Sequence, residues 1–192
     1  MTESLRRRCL IKKSAFAKAI QGLALVTGIL SAGLLAAHGI WGHSVLFTLF
    51  IRFFTTFFHF AMRLVVGYLV PNRFDPNARW FQPTAFETSF YKKLKLKKWK
   101  DHMPTYNPTL FSLEDNSLEQ IAKNMCQAEV VHEVIILCSF LPMLFAIPWG
   151  EFWVFFITSL AAAIFDSVFV MLQRYNRPRI MKLLKYQNRK GG

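Results

Sequence analysis

The stretch FWVFFITSLAAAIFDSVFVMLQRYNRPR, residues 152–179, contains the two features that decide the fold. Its first part, 152–172, holds a single charged residue, Asp166, and is long enough to cross a bilayer core, which takes about 20 apolar residues. Three arginines, an asparagine and a tyrosine follow at once. Because Pro178 disfavours helical geometry in the preceding residue, we expect the helix to end in a sharp turn at Arg177. The pattern predicts a membrane span that ends in a cluster of strong hydrogen-bond donors.

Three more apolar stretches extend this prediction to the whole chain. Of the 192 residues, 53% are hydrophobic, a composition typical of an integral membrane protein. Residues 15–37 and 45–70 are long enough to span a bilayer, and 134–148 forms a shorter span whose prolines kink or end it. With 152–172 this gives four spans. We therefore expect an all-α polytopic membrane protein, organised as one membrane domain over 1–192, with about four transmembrane helices and a cytoplasmic interfacial loop region.

The basic residues predict how these spans are oriented. Lysines and arginines concentrate in 1–14, 71–133 and 173–192, which lie on one side of the membrane if there are four spans. The short turns 38–44 and 148–151 contain no Lys or Arg. The positive-inside rule therefore predicts a multi-pass protein of the cell membrane with both termini cytoplasmic. Attraction to anionic phospholipid headgroups accounts for the net charge of +13, so we expect no nucleic acid partner.

The cytoplasmic segment 71–133 is too long to be a simple connector and contains two predicted helix starts. Thr84-Ala-Phe-Glu87 has the pattern of a capping box, in which the threonine hydroxyl and the glutamate carboxylate each accept from the other residue's backbone N–H. Ser117-Leu-Glu-Gln120 repeats the pattern. We expect the second helix to run from about Leu118 straight into the third span.

A basic run, KKLKLKKWK at 92–100, lies between these two helices. Its alternation fits a strand, whereas in a helix its apolar residues would spread around the axis. In either conformation we expect Leu94, Leu96 and Trp99 to enter the membrane interface while the lysines meet lipid phosphates.

Glu129 and His132 stand three residues apart on the second helix and therefore share a face. A carboxylate that orients an imidazole is the minimum equipment for deprotonating an alcohol. Di-metal helical sites use the same spacing but need two copies and further carboxylates, and this chain has one copy and five histidines. We therefore expect no metal and no cofactor. The alternative is a structural pair that closes the helix bundle.

Five motifs follow one another from about Asn72 to the end of the chain. They are Asn72 with the aromatic stretch to Phe81, Glu87-x-x-x-Tyr91, Leu94-x-Leu96-Lys97-x-Trp99-Lys100-Asp101-x-Met103-Pro104, Ala128-Glu129-x-x-His132, and Gln173-Arg174-Tyr175-Asn176-Arg177-Pro178-Arg179. In these motifs and their order the chain resembles the glycosyl-diaponeurosporenoate acyltransferase family, which adds a fatty acyl chain to a glycosylated carotenoid acid in staphyloxanthin biosynthesis.

The residues and the resemblance together imply an O-acyltransferase that uses an acyl donor, expected to be a thioester, and a glycolipid or glycosylated terpenoid or carotenoid acceptor. His132 is the expected general base, Glu129 orients it, and Glu87 completes the catalytic set. We expect Arg174, Arg177 and Lys100 to bind the donor's anionic groups and Asn176 to donate to the developing oxyanion. The remaining expected substrate contacts are Lys97, Trp99, Tyr175 and Arg179.

Two other classes of function fit the same sequence. A small membrane methyltransferase for lipid or isoprenoid carboxylates also places Arg and Glu on cytoplasmic loops. A non-enzymatic adaptor would use its basic loop to bind anionic lipid and would tolerate replacement of Glu129 and His132.

The membrane interior gives a geometric prediction. Arg63 lies about seven residues and Asp166 about six residues from the cytoplasmic ends of their spans, so both lie roughly 10 Å below the same surface. Charges at this depth pair or line a cavity. We expect Arg63 and Asp166 to pair in the bundle interior, with His59 one turn deeper on the helix face of Arg63.

Overall fold

The computed structural model describes the backbone of residues 3–99 and 103–190 and the side chains of 15–98 and 103–190. Regular structure in these residues is helical. The α-helices are α1 Glu3–Trp41, α2 Ser44–Leu69, α3 Ala85–Lys93, α4 Leu96–Trp99, α5 Leu118–Cys138, α6 Ala146–Trp149 and α7 Phe152–Lys190. Short 3-10 turns occupy Arg79–Phe81, Pro108–Phe111 and Leu141–Phe145.

Four helical segments are long and apolar enough to cross a membrane, which confirms the predicted fold class of a multi-pass helical membrane protein. They are Ala15–Trp41, Ser44–Leu69, Leu118–Trp149 and Phe152–Lys190. The third segment is not one continuous α-helix. Helix α5 ends at Cys138, before Pro142, and a 3-10 turn and α6 complete the segment, as the prolines predicted.

The expected turn at Arg177 is wrong, because α7 continues through Pro178 to Lys190. A proline inside a helix removes one backbone hydrogen bond and costs roughly 3 kcal/mol. The neighbouring turns of α7 contribute Arg174 and Arg177 to a buried network of ion pairs, and these contacts offset that cost. The local preference against helix before a proline therefore yields to tertiary contacts.

The chain divides into two compact units. Unit 1 combines Val70–Glu133 with the part of the chain from Ser167 onward and the part up to Phe16. Unit 2 combines Ala17–Leu69 with Val134–Asp166.

The core of unit 2 lies between α2 and the first half of α7. Phe50, Ile51 and Phe155 are buried together under further aromatic rings. The predicted ion pair between Arg63 and Asp166 is confirmed, and the Asp166 side chain is almost completely buried. Arg63 Nη1 also donates to the backbone carbonyl of His59 at 2.6 Å, which confirms that His59 lies one turn away on the same helix face.

The core of unit 1 joins α3, α4 and the second half of α7. Tyr91 and Leu96 pack against Phe169 and Leu172, and all four are buried. The strand interpretation of the basic run is therefore wrong, since α3 and α4 are helices separated by a turn in which Lys95 has φ +51°. The expectation that Leu96 enters the membrane interface is also wrong, because this side chain fills the protein core.

Candidate functional site

Glu87 is placed by the first turn of α3. The predicted capping box forms: the backbone N–H of Thr84 donates to Glu87 Oε2 at 2.6 Å, and the N–H of Glu87 donates to Thr84 Oγ1 at 3.2 Å. The other carboxylate oxygen accepts from Arg174 Nη1 at 2.7 Å. Burial opposes ionisation of Glu87, but the Thr84 hydrogen bonds and the Arg174 guanidinium together hold the pKa of Glu87 below its ordinary value. Glu87 is therefore a fixed anion.

The second predicted helix start also forms in part. Ser117 Oγ accepts from the backbone N–H of Gln120 at 3.2 Å at the beginning of α5. The Gln120 side chain donates to Asn124 Oδ1 at 2.9 Å, and Asn124 also accepts from Asn72 at 2.6 Å. These bonds fix the start of α5 against the loop that enters unit 1, and three turns later the helix presents Glu129.

Glu129 is the centre of the site. It has no exposed surface, and each of its carboxylate oxygens accepts from a guanidinium of α7. Arg174 Nε donates to Oε1 at 2.8 Å, and Arg177 Nη1 donates to Oε2. Hydrogen bonds from two cations are what a fully desolvated carboxylate needs to remain charged.

Arg174 connects all the carboxylates of the site. Besides Glu87 and Glu129, its guanidinium reaches Glu133 Oε1 at 3.4 Å and the backbone carbonyl of Trp80 at 3.2 Å. Trp80 Nε1 in turn donates to Glu133 Oε2 at 3.1 Å. Arg174 of α7 thus bonds to α3, to α5 and to the Arg79–Phe81 turn. Its N–H groups are directed at protein acceptors.

Arg177 is buried, with 1% of its surface exposed. It donates to Glu129 and to the backbone carbonyl of Phe81, and it lies over the Phe81 ring at 5.0 Å. The Cys126 sulfur is 3.7 Å from its Nη1. In this conformation the described contacts of the guanidinium are with protein groups, and its expected contact with the donor's anionic groups stays a prediction.

His132 lies on α5 one turn after Glu129 and is half-buried. Its ring stacks on Phe169 with a centroid distance of 4.8 Å and an interplanar angle of 11°. This contact fixes the plane of the imidazole beside the carboxylate network. That Glu129 orients the ring stays a prediction.

The neighbouring phenols differ in their surroundings. Burial and the Glu87 carboxylate raise the pKa of Tyr91 to about 12, so this phenol stays protonated near neutral pH. Tyr175 packs on the core of unit 1, and its hydroxyl accepts from Arg179 Nη2 at 2.7 Å. The Arg179 guanidinium also lies over the Tyr175 ring at 4.5 Å, at an exposed position.

The other predicted contacts are less tightly placed. Asn176 is half-buried, one residue from Arg177 on α7, and Lys97 is exposed on α4. Trp99 ends α4, and its side chain lies outside the described part of the chain, as does the whole of Lys100. The described residues contain no group of three or more His, Cys, Asp or Glu arranged to hold a metal ion.

Sequence reasoning gave no role to two groups that the structure adds to the site. Glu133 shares a helix face with Glu129, because the two are four residues apart, and this spacing was the available signal. The backbone carbonyl of Phe81 accepts from Arg177, and no sequence pattern marks a carbonyl as an acceptor. Three carboxylates and two guanidiniums therefore meet in unit 1, with one negative charge in excess.

The four candidate membrane spans define the class as a multi-pass helical membrane protein, and unit 1 of this protein contains the buried carboxylate–guanidinium network. The family model for glycosyl-4,4'-diaponeurosporenoate acyltransferase matches residues 77–186, more than half of the chain. The chain belongs to this acyltransferase family, and the resemblance noted in its motifs is confirmed. The match includes Glu87, Glu129, His132, Arg174 and Arg177. Comparison with curated proteins and with solved structures gives no match.

Proposed function

We propose that this protein transfers a fatty acyl group to a hydroxyl of a glycolipid or a glycosylated terpenoid, with a glycosylated carotenoid acid as the leading acceptor. The observation that carries the proposal is that the family match spans the whole buried network and His132 together. In this proposal the network holds His132, the base, in place. The adjoining helices cross a membrane in which both the acceptor and the acyl chain dissolve.

The proposed reaction needs one base and one site for negative charge. His132 accepts the proton of the acceptor hydroxyl while the hydroxyl oxygen of the acceptor bonds to the carbonyl carbon of the acyl donor. The carbon–sulfur bond of a thioester donor then breaks, and the thiolate leaves with that proton. The half-buried amide of Asn176 is the proposed donor to the oxyanion that develops during the attack.

The arginines divide into two roles in this proposal. Arg174 holds Glu87 and Glu129, and Arg177 holds Glu129, so that together they fix α3 and α5 around His132. Arg179 and Lys97 are exposed and, with Lys100, are the proposed contacts for anionic groups of the donor. Trp99 and Tyr175 are proposed to line the path of an apolar chain.

The proposal includes an orientation in the cell membrane. We place both termini and the basic segment 71–133 on the cytoplasmic side, where acyl thioesters are made available and anionic phospholipid headgroups are abundant.

The decisive experiment compares lipid extracts of cells that make a glycosylated carotenoid acid, with and without this protein. Mass spectrometry should show the acceptor displaced by the mass of one fatty acyl unit. A His132→Gln variant should lose the product at a normal level of membrane protein, whereas His43→Gln, in the turn between α1 and α2, should retain it. A methyl increment would instead identify a methyltransferase, and an unchanged extract would leave the adaptor function.

A further inference from the structure

Helix α3 turns one face into unit 1 and exposes a second, apolar face. Glu87 and Tyr91 point into unit 1, whereas Phe86 and Phe90 are 77% and 41% exposed. The two exposed rings stack in parallel, with centroids 6.2 Å apart and an interplanar angle of 7°. Leu94 continues the same stripe at the next turn and is 39% exposed.

The packing of unit 1 sets the depth at which this stripe lies. Tyr91 and Leu96, on either side of the stripe's end, contact Phe169 and Leu172 of α7. These two residues belong to the last turn of the apolar stretch 152–172. Helix α3 is therefore held beside the end of the apolar stretch of α7.

The charges around the stripe fit the same location. Lys92, Lys93, Lys95, Lys97 and Lys98 are all exposed, and no acidic residue occurs between 88 and 98. An apolar face flanked by lysines at a membrane boundary is the pattern of a helix that lies in the interface plane.

We propose that the stripe of Phe86, Phe90 and Leu94 is immersed in the interface of the bilayer that α7 crosses, and that the lysines bind anionic phospholipid headgroups. The proposal stands on the packing of α3 and does not depend on acyl transfer. Because the capping box fixes Glu87 on the adjoining face, immersion of the stripe brings the carboxylate network to the membrane surface.

Spin labels on single cysteines of the full-length protein test this proposal. The background carries Cys9→Ser and Cys138→Ser, and Cys126 stays because it is buried. Labels are placed by Phe86→Cys, by Phe90→Cys, or by Thr88→Cys, which is exposed on the opposite side of α3 and serves as the matched control. The proteins are reconstituted in nanodiscs of phosphatidylcholine and phosphatidylglycerol.

Collision rates with oxygen and with a water-soluble nickel chelate then report the depth of each label. Labels at 86 and 90 should collide preferentially with oxygen, and the label at 88 should collide preferentially with the nickel chelate. The ratio of the oxygen collision rate to the nickel collision rate should be at least fivefold higher at 86 and 90 than at 88. Equal nickel accessibility at all three positions would overturn the proposal in favour of a solvent-exposed helix. Shielding of 86 and 90 from both reagents would overturn it in favour of a protein partner.

Discussion

Replacing Arg177 should destabilise the protein strongly, and the loss should be partly recovered when Glu129 is replaced as well. The pair is buried, with 1% and 0% of the side chains exposed. Removing one partner of a buried ion pair costs roughly 3–5 kcal/mol, since the other charge remains desolvated. In Arg177→Met, Glu129 keeps Arg174 at 2.8 Å, so we expect about 3 kcal/mol. In Glu129→Met, Arg177 keeps only neutral acceptors, and we expect about 4 kcal/mol.

The double variant gives the sharper result. Replacing both buried charges by apolar side chains of similar size is often nearly neutral, and the remaining cost is that of the Phe81 carbonyl left without its donor, about 1–3 kcal/mol. Arg177→Met with Glu129→Met should therefore be less destabilised than either single variant. Arg177→Lys should lie between wild type and Arg177→Met, because one ammonium cannot reproduce the planar fork that reaches both acceptors.

The free energy of unfolding can be measured in mixed dodecylmaltoside and dodecyl sulfate micelles by far-ultraviolet circular dichroism. Arg189→Met, at an exposed position of the last turn of α7, is the control and should change stability by less than about 0.5 kcal/mol. Two results would refute the reasoning: a loss below about 1 kcal/mol in Arg177→Met, or a double variant that loses the sum of the two single losses.

Three further predictions concern other contacts and use the same unfolding measurement. Asp166→Leu should cost about 2–4 kcal/mol because it leaves Arg63 without its buried partner, and adding Arg63→Met should restore part of the loss; a loss that the second change leaves untouched would contradict the pairing. The folded-state pKa of Glu87 is lowered, so its contribution to stability is present above the unfolded value of about 4.5 and is lost as the pH falls through the folded value; Glu87→Gln should therefore flatten the stability profile in this acid range, and parallel profiles would argue against it. Gly28→Ala should cost about 1 kcal/mol, because its Cβ would meet an aromatic ring of α2 at 3.0 Å, whereas Gly33→Ala has open space and should be neutral or stabilising; equal effects would show that the ring gives way.

The sequence predicted the parts of the fold that depend on local pattern. Apolar length identified the four segments that are able to span a membrane, and residue types identified the Thr84 capping box. The cost of burying a charge predicted the Arg63–Asp166 pair. Each of these follows from a rule that involves residues within one helix, or the depth of a charge in a membrane.

The wrong predictions share one physical cause, which is competition between a local rule and a distant contact. Pro178 was expected to end a helix, but carboxylates far away in the sequence stabilise the turns that contain it. Leu94 and Leu96 are equivalent in the sequence, yet Leu96 is buried in the core with Phe169 of α7 whereas Leu94 is 39% exposed. The burial of Arg177 against the Phe81 carbonyl depends on a loop conformation that no pattern in the sequence specifies, and its expected contact with an anionic group of the donor stays a prediction.

The order of synthesis imposes a condition on the Glu129 site. Glu129 is made 45 residues before Arg174 and 48 before Arg177, the two cations that make its burial possible. At roughly 5–20 residues per second, the ribosome adds these partners only after about 2–10 s. During that interval the carboxylate has to stay in water or carry a proton, because an unpaired charge is too costly inside the protein. The two halves of the site thus assemble late, when α7 arrives, and a chain interrupted before Arg174 would expose an unmatched acid to the quality-control proteases of the cell.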